Sequence, residues 1–449
     1  MKPTNRRSFL ASSLAGSSAI LAAGPLASLG AHAAALNGGD YRALVCVFLF
    51  GGNDGNNTVI PMDVTGYANY AKARGNGAAG GLALEQSSLA ALAGGNVGLH
   101  PKLAPLADVW NQGHLAVQAN VGTLAAPLTK AQYLANAGLR PPSLFSHIDQ
   151  QTQWQHGASG PMLVSGWGGR VADLQPSSVL PSVLSFSGNS AFINGARTQG
   201  LVLPATGGFT LKGFGSNPTS NPLYNLYGQL LKAGSANVEI DAAGDVIEQA
   251  MMTSSLLNPA LSATSSTAGL FTGLKGKLAQ QLLAVTKLME ARSSLGVTRQ
   301  IFFVSMGGFD THNEQLARQG NLFAELGPAL KAFHDATVQL GLVNQVTTFT
   351  ASDFARTLQP ASGGGSDHAW GGHHFIMGGA VRKGVYGRMP DLTLGGADDV
   401  TSEGRWLPTT SVEQMGATLA TWLGVGAADL PTIFPNLGNF GLKTMGYFV

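Results

Sequence analysis

The chain has a single cysteine, Cys46, in 449 residues, so no disulfide can close within it. Its place inside an apolar run points to a buried, inert thiol. Charge is scarce as well. Asp, Glu, Lys and Arg make up 11% of the chain, where about a quarter is usual. No basic cluster stands out, which excludes a nucleic-acid partner. No run beyond the N-terminus is long and apolar enough to span a bilayer, which excludes a stable membrane anchor there. Several catalytic signatures are also missing. There is no GxSxG elbow, no HExxH, no P-loop and no GxGxxG after the first strand-like run. Elbow-type serine hydrolases, zincins, P-loop NTPases and dinucleotide-binding enzymes are thereby set aside. What the chain has in quantity is glycine, 61 residues, so small, glycine-rich loops cover much of its surface.

The first residues run Asn5-Arg6-Arg7-Ser8-Phe9-Leu10. A weakly apolar stretch follows, broken at Gly24 and Pro25, and closes on Ala31-His32-Ala33. Charged, apolar and small-x-small segments in that order form a secretory signal, and the paired arginines mark the twin-arginine route. The break by glycine and proline argues against a retained anchor, and no cysteine near the cleavage site offers a lipid attachment point. Residues 1–33 are therefore expected to be a removable signal, and the mature protein periplasmic or secreted. Lys2, Arg6 and Arg7 are the only charges before that site, so the 26 basic residues fall to 23 against 24 acidic ones. The exported chain is close to neutral.

Five short runs, 43–50, 115–121, 300–305, 345–350 and 375–377, are near-continuous in apolar or β-branched residues. That is the pattern of parallel strands covered on both faces. Helical periodicity lies between them. Leu322, Phe323, Leu326, Leu330 and Phe333 share one face, and Val412, Met415, Leu419 and Trp422 another. The latter helix opens at Ser411 with Gln414 three residues on, a capping-box pattern. Another is expected near 278–291. Strands alternating with helices predict an α/β fold with a mostly parallel central sheet sandwiched by helices. Residues 40–449 read as one such domain. A loop-rich segment at about 195–270, with one helix over 246–257, reads as an inserted cap. The glycine run 363–365 reads as a flexible loop.

The acids carry the functional signal. VCVFLF is followed by GGNDGNN, which puts Asp54 just past the first strand. IFFVS is followed by MGGFDTH, which puts Asp310 and His312 past another, and VTTFTASDF puts Asp353 past a third. In a parallel sheet these ends share one edge, where open α/β sheets bind ligands. A lone Asp after glycine is more often a cap or turn residue. Three at equivalent strand ends, in a chain so poor in charge, would repel one another unless a cation were shared. Oxygen and imidazole donors suit zinc, manganese, magnesium or calcium better than copper, as one or two ions. The later segment SDHAWGGHH supplies His368 as a further ligand, with His373 and His374 as weaker candidates because one of them starts a strand. Ser146, in SHIDQ, opens a helix. There it is ordinarily an N-cap, but beside a metal it becomes a candidate nucleophile. Arg356 is placed to hold an anionic oxygen or, more simply, to form a salt bridge.

Taken together, FLFGGNDGNNTVIP, GLHPKLAPL, SHIDQQTQW, GWGGR, GGFDTH, ASDFART, SDHAWGGHHFIMGG and GRWLPTTSVEQMGATLATWLGV resemble the exported bacterial family called domain of unknown function 1501. That family is similar to the alkaline phosphatase and sulfatase superfamily. The resemblance implies a parallel-sheet core, two divalent metals and a hydroxyl nucleophile. It implies that Asp54 holds one metal, that Asp310, His312 and His368 hold the other, that Asp353 is the acid of an Asp-His pair, and that Ser146 is the nucleophile. The superfamily places His directly after the acid at the Asp353 position, where this chain has Phe354. The expected activity is metal-dependent hydrolysis of phosphate or sulfate esters, acting on a small anionic ester or a surface glycan. The alternative is a non-catalytic exported binding or scaffold protein on the same fold.

Overall fold

Residues 42–49, RALVCVFL, leave almost nothing for solvent to contact, and all but the first are buried. Alternate side chains leave a strand on opposite faces. Ala43, Val45, Val47 and Leu49 enter one apolar cluster, and Leu44, Cys46 and Phe48 enter another. A strand with a core on each side belongs at the centre of a three-layer sandwich. The computed structural model describes residues 41–75, 79–160, 163–175, 180–209, 221–232 and 238–448. The expected export signal, residues 1–33, lies outside these residues. Among them, no helix is long and apolar enough to cross a membrane.

In chain order the strands are β1 (Arg42–Leu49), β2 (Val59–Pro61), β3 (Ala90–Leu92), β4 (Val97–Leu99), β5 (Leu115–Gly122), β6 (Val183–Ser185), β7 (Leu201–Val202), β8 (Arg299–Met306), β9 (Val346–Ser352), β10 (Gly372–Met377), β11 (Gly384–Tyr386) and β12 (Thr410–Ser411). Among the described residues the main sheet runs β11-β5-β10-β9-β1-β8-β6-β7, with β12 also on β5, and β2-β4-β3 form a small second sheet. β1 pairs in parallel with β8 and β9, and β6 with β7 and β8. Within the main sheet, among the described residues, β10 alone is antiparallel to its neighbours, β5 and β9. This is the mostly parallel sheet between helical layers that the sequence predicts. β7 lies within the segment expected as an insertion and extends the sheet edge; the helices Pro222–Lys232 and Val238–Ser262 follow it.

The helices cover the two faces. Lys277–Glu290 and Gln315–Gln339 bury Leu282, Leu326, Leu330 and Phe333 in the first cluster. Val412–Leu423 buries Val412, Met415, Leu419 and Trp422 in the second. It starts as expected: Ser411 Oγ accepts from Glu413 N, and the Gln414 side chain accepts from Ser411 N at 2.8 Å. The glycine run at 363–365 differs from expectation. The carbonyls of Gly363 and Gly364 accept the N–H groups of Glu314 and Gln315, so the run caps the incoming helix and is tied down. Free N–H groups at a helix start need such acceptors. Cys46 is buried and free, and burial pushes its thiol up, well out of the reactive range.

Candidate metal centre

β1, β8 and β9 end level, with Leu49 opposite both Met306 and Ser352. The segments that follow therefore leave one edge of the sheet together. They do so through a tight turn at Gly51 and Gly52, both with positive φ. A Cβ at Gly51 would stand 2.4 Å from Asp310 N, and one at Gly52 2.4 Å from the Phe354 ring. Only glycine lets the three chain crossings come so close.

Above that edge, His147, Asp310 and His368 each offer one ligand atom, all within 4.8 Å of one another. Asp310 Oδ1 is 3.6 Å from His147 Nε2 and 3.3 Å from His368 Nε2. His312 joins them, its Nε2 lying 3.0 Å from both Asp310 Oδ1 and His368 Nε2. The expected residues Asp310, His312 and His368 are thus brought together, and His147 is an addition that the sequence reading missed. It is the first residue of the helix His147–His156, in a motif that reads as a cap.

The other ring nitrogens are all engaged. His368 Nδ1 lies 2.8 Å from the carbonyl of Phe145, and a carbonyl only accepts, so Nδ1 carries the proton. Burial lowers the His368 pKa, against the opposing pull of that carbonyl, so the neutral ring presents a bare Nε2. Phe145 itself has φ +72, an uncommon conformation for a bulky residue and one that concentrates at functional sites. His147 Nδ1 lies 2.7 Å from Asp353 Oδ2. That oxygen also accepts from Gln151 Nε2 at 2.8 Å and Gly51 N at 3.1 Å. His312 Nδ1 lies 3.3 Å from Asp367 Oδ1. An imidazole with its far nitrogen tied to an acceptor is the usual form of a metal ligand. His312 Nε2 and His368 Nε2 are 3.0 Å apart, a separation that needs a proton or a cation shared between them.

The remaining acids divide. Asp353 is buried and supports His147 from behind. Burial raises its pKa, against the lowering effect of Gln151, His147 and Gly51, and its Oδ1 has no partner. Asp310 is nearly half exposed. Burial would raise its pKa, but the hydrogen bond and charge of Arg356, then His312 and His147, hold it below the usual range. Asp54 turns away from this group, into a buried pair with Arg74. Phe354 packs against both His147 and His368, with ring centroids at 4.8 and 4.5 Å, and forms an apolar floor.

Two expected roles meet different surroundings. The Arg356 side chain is fully buried. It donates to the carbonyls of Gly52 at 2.9 Å, Ser366 at 2.7 Å and Gly51 at 2.6 Å, and to Asp310. That is a structural ion pair, with four of the five guanidinium N–H groups engaged inside the fold. Ser146 sits at the N-cap, where its hydroxyl donates to Asp149 Oδ2 at 2.6 Å. His373 and His374 both lie within β10 and are buried, on His373 Nδ1–Asn120 N and His374 Nδ1–Thr350 Oγ1 contacts, outside the cluster.

Burial lowers the pKa of His373 to about 4 and of His374 to about 3, and that of His100 to about 4. The fold holds all three neutral, whereas the unfolded chain protonates them near 6.5. Their stabilisation is thus complete above about pH 6.5 and is lost as the pH falls towards 4, at about 1.4 kcal/mol per pH unit for each. Denaturant unfolding at stepped pH should show an uptake of about three protons, and His374→Asn should remove one. A stability that stays level across that range would rule this out.

A family described as Protein of unknown function (DUF1501) matches residues 41–430. The chain belongs to that family. No curated protein matches this DUF1501 member. Among solved structures it is similar to the crystal structure of Ps i-CgsB in complex with k-i-k-neocarrahexaose, at 9% identity and a TM-score of 0.34, over 88% of this chain and 77% of that one. It is also similar to the crystal structure of PsFucS1 sulfatase from Pseudoalteromonas sp., at 10% identity and a TM-score of 0.34, over 89% and 76%. Similarities this distant leave the roles of individual residues to the geometry.

Proposed function

We propose that this DUF1501 member is an exported, metal-dependent hydrolase of phosphate or sulfate esters. The carrying observation is the convergence of His147 Nε2, His368 Nε2 and Asp310 Oδ1 at the carboxyl edge of the sheet, with the far nitrogen of each ring already held. The donor set fits a divalent ion. Imidazoles beside one carboxylate favour zinc or manganese over magnesium or calcium. Such an ion supplies Lewis acidity and charge for an ester oxygen when bound. The chain supplies the rest. Asp353 and the Phe145 carbonyl fix the ring orientations, and Phe354 keeps their lower faces dry. Ser146 is the candidate nucleophile. Its Oγ forms the new bond to phosphorus or sulfur as its proton passes to Asp149 Oδ2. The ester O–P or O–S bond breaks and the leaving oxygen takes a proton from water. A second water then displaces the phosphate or sulfate from Ser146 Oγ, which regains the proton held on Asp149.

One observation favours the second reading, a binding protein without catalysis. Asp54 and Arg356 are both closed on internal partners, so Asp54 is not free to hold a metal ion and Arg356 is buried away from an ester anion. Elemental mass spectrometry of the folded chain, with aryl sulfate and aryl phosphate assays, separates the two. The wild type should hold a divalent metal that His147→Ala and His368→Ala lose, and only the metal-loaded wild type should release the aryl alcohol. Bound metal without turnover of either ester leaves the binding reading. Absence of metal sinks the hydrolase reading and leaves a metal-free binding or scaffold protein.

A further inference from the structure

Asp54 lies just past the central strand, flanked by the segments that carry Asp310 and Asp353, and is buried. A carboxylate so placed needs a positive partner, because an uncompensated buried charge is strongly destabilising. The resemblance implies a metal in that role. The residues present do not fit one. Arg74 Nη2 stands 2.6 Å from Asp54 Oδ1 and 2.6 Å from Asp54 Oδ2. A single nitrogen equidistant from both oxygens occupies the position that a cation bound bidentately by Asp54 would take. The remaining approaches are filled too. Oδ1 accepts the N–H of Asn56 at 3.0 Å, and Oδ2 accepts Gln315 Nε2 at 2.5 Å.

Arg74 is not there as a general structural hub. Its side chain is fully buried, and its Nε and Nη1 have no hydrogen-bond partner. Among the described residues, Asp54 is the one group its guanidinium holds. A guanidinium stays charged throughout the working pH range, so it supplies a permanent positive charge where an ion could be lost.

We propose that Arg74 is a built-in cation standing in for a second metal, so that the centre takes one divalent ion per chain, on His147, Asp310, His368 and His312. This rests on the metal-centre reading above and narrows it from one or two ions to one.

The test is ion stoichiometry and stability on the whole exported chain, with zinc and manganese as probes. Elemental mass spectrometry and calorimetric titration should give one ion per chain in the wild type. Asp54→Asn should keep that one ion, because Asp54 is no ligand. Arg74→Met should lower the melting temperature, and millimolar manganese or calcium should recover it while the stoichiometry rises from one to two. A purely structural arginine would give the loss without the recovery, and that outcome overturns the proposal. Should Arg74→Met fail to fold, the neutral pair Asp54→Asn with Arg74→Met carries the test, and it should bind one ion as the wild type does. Two ions in the wild type, or loss of the only ion in Asp54→Asn, overturn the role given to Arg74 and leave the metal centre standing. No ion in the wild type removes the metal centre itself.

Discussion

Arg356→Ala should be among the most destabilising single changes in this chain, costing about 3–5 kcal/mol. The buried guanidinium ties the carbonyls of Gly51, Gly52 and Ser366 to Asp310. Removing it strands three buried or half-buried carbonyls and leaves Asp310 without its cation. Each acceptor left without a partner costs about 1–3 kcal/mol. Those three carbonyls belong to the glycine turn after β1 and to the loop before β10, so the loss loosens the crossing that holds Asp310 beside the histidines. Equilibrium denaturation measures the first effect. Arg356→Lys recovers little, because one ammonium cannot reproduce the fork. The opposite pattern, a raised KM with unchanged unfolding, is what a substrate-holding arginine would give, and it would exclude the buried role.

Asp353→Asn is expected to separate stability from metal affinity. The carboxylate is buried, and burial raises its pKa, so a neutral amide of the same shape leaves the unfolding free energy unchanged or slightly higher. The effect on His147 runs the other way. Asp353 Oδ2 receives its Nδ1 and keeps Nε2 bare. An amide placed there weakens that hold and admits the wrong ring tautomer. Loss of such a supporting partner typically lowers metal affinity 10–100-fold. Competition against a chromophoric chelator reads the affinity, and denaturation reads the fold. Equal affinity in the two proteins would show that His147 is not held through Asp353.

The sheet was legible because its strands bury both faces. β1, β5, β8 and β9 stand out as runs dominated by apolar or β-branched residues, and the ends of β1, β8 and β9 locate Asp54, Asp310 and Asp353 without further information. β6 and β7, of three and two residues, are too short to carry a pattern. Side-chain pairing was much less legible. Arg74 caps the end of the helix Val64–Ala73, and nothing in its neighbours announces that it reaches back twenty residues to Asp54. Arg356 follows Asp353 closely, which puts it near the site but does not say whether it points out or in. His147 was visible within SHIDQ. Whether the first turn of a helix aims that ring at solvent or at Asp353 depends on the path of the preceding loop, and that path includes left-handed Ser143 and Phe145, which are not turn-forming residue types of the glycine kind.

The antiparallel setting of β10 has a kinetic consequence. Because β9 leaves the sheet and β10 re-enters it at the same edge, residues 353–371 form a span fastened at both ends. It is stitched across its middle by Thr357 N to Asp367 O at 2.9 Å, Ala369 N to Ala355 O at 2.8 Å and Ala355 N to Trp370 O at 3.2 Å. His368 lies inside this stitching, so it cannot swing clear without opening a ladder of backbone bonds. His312 and Asp310, each close to half exposed, are the proposed ligands most open to solvent. An ion should therefore enter and leave by way of those two, and its residence time should follow their motion while His368 stays fixed.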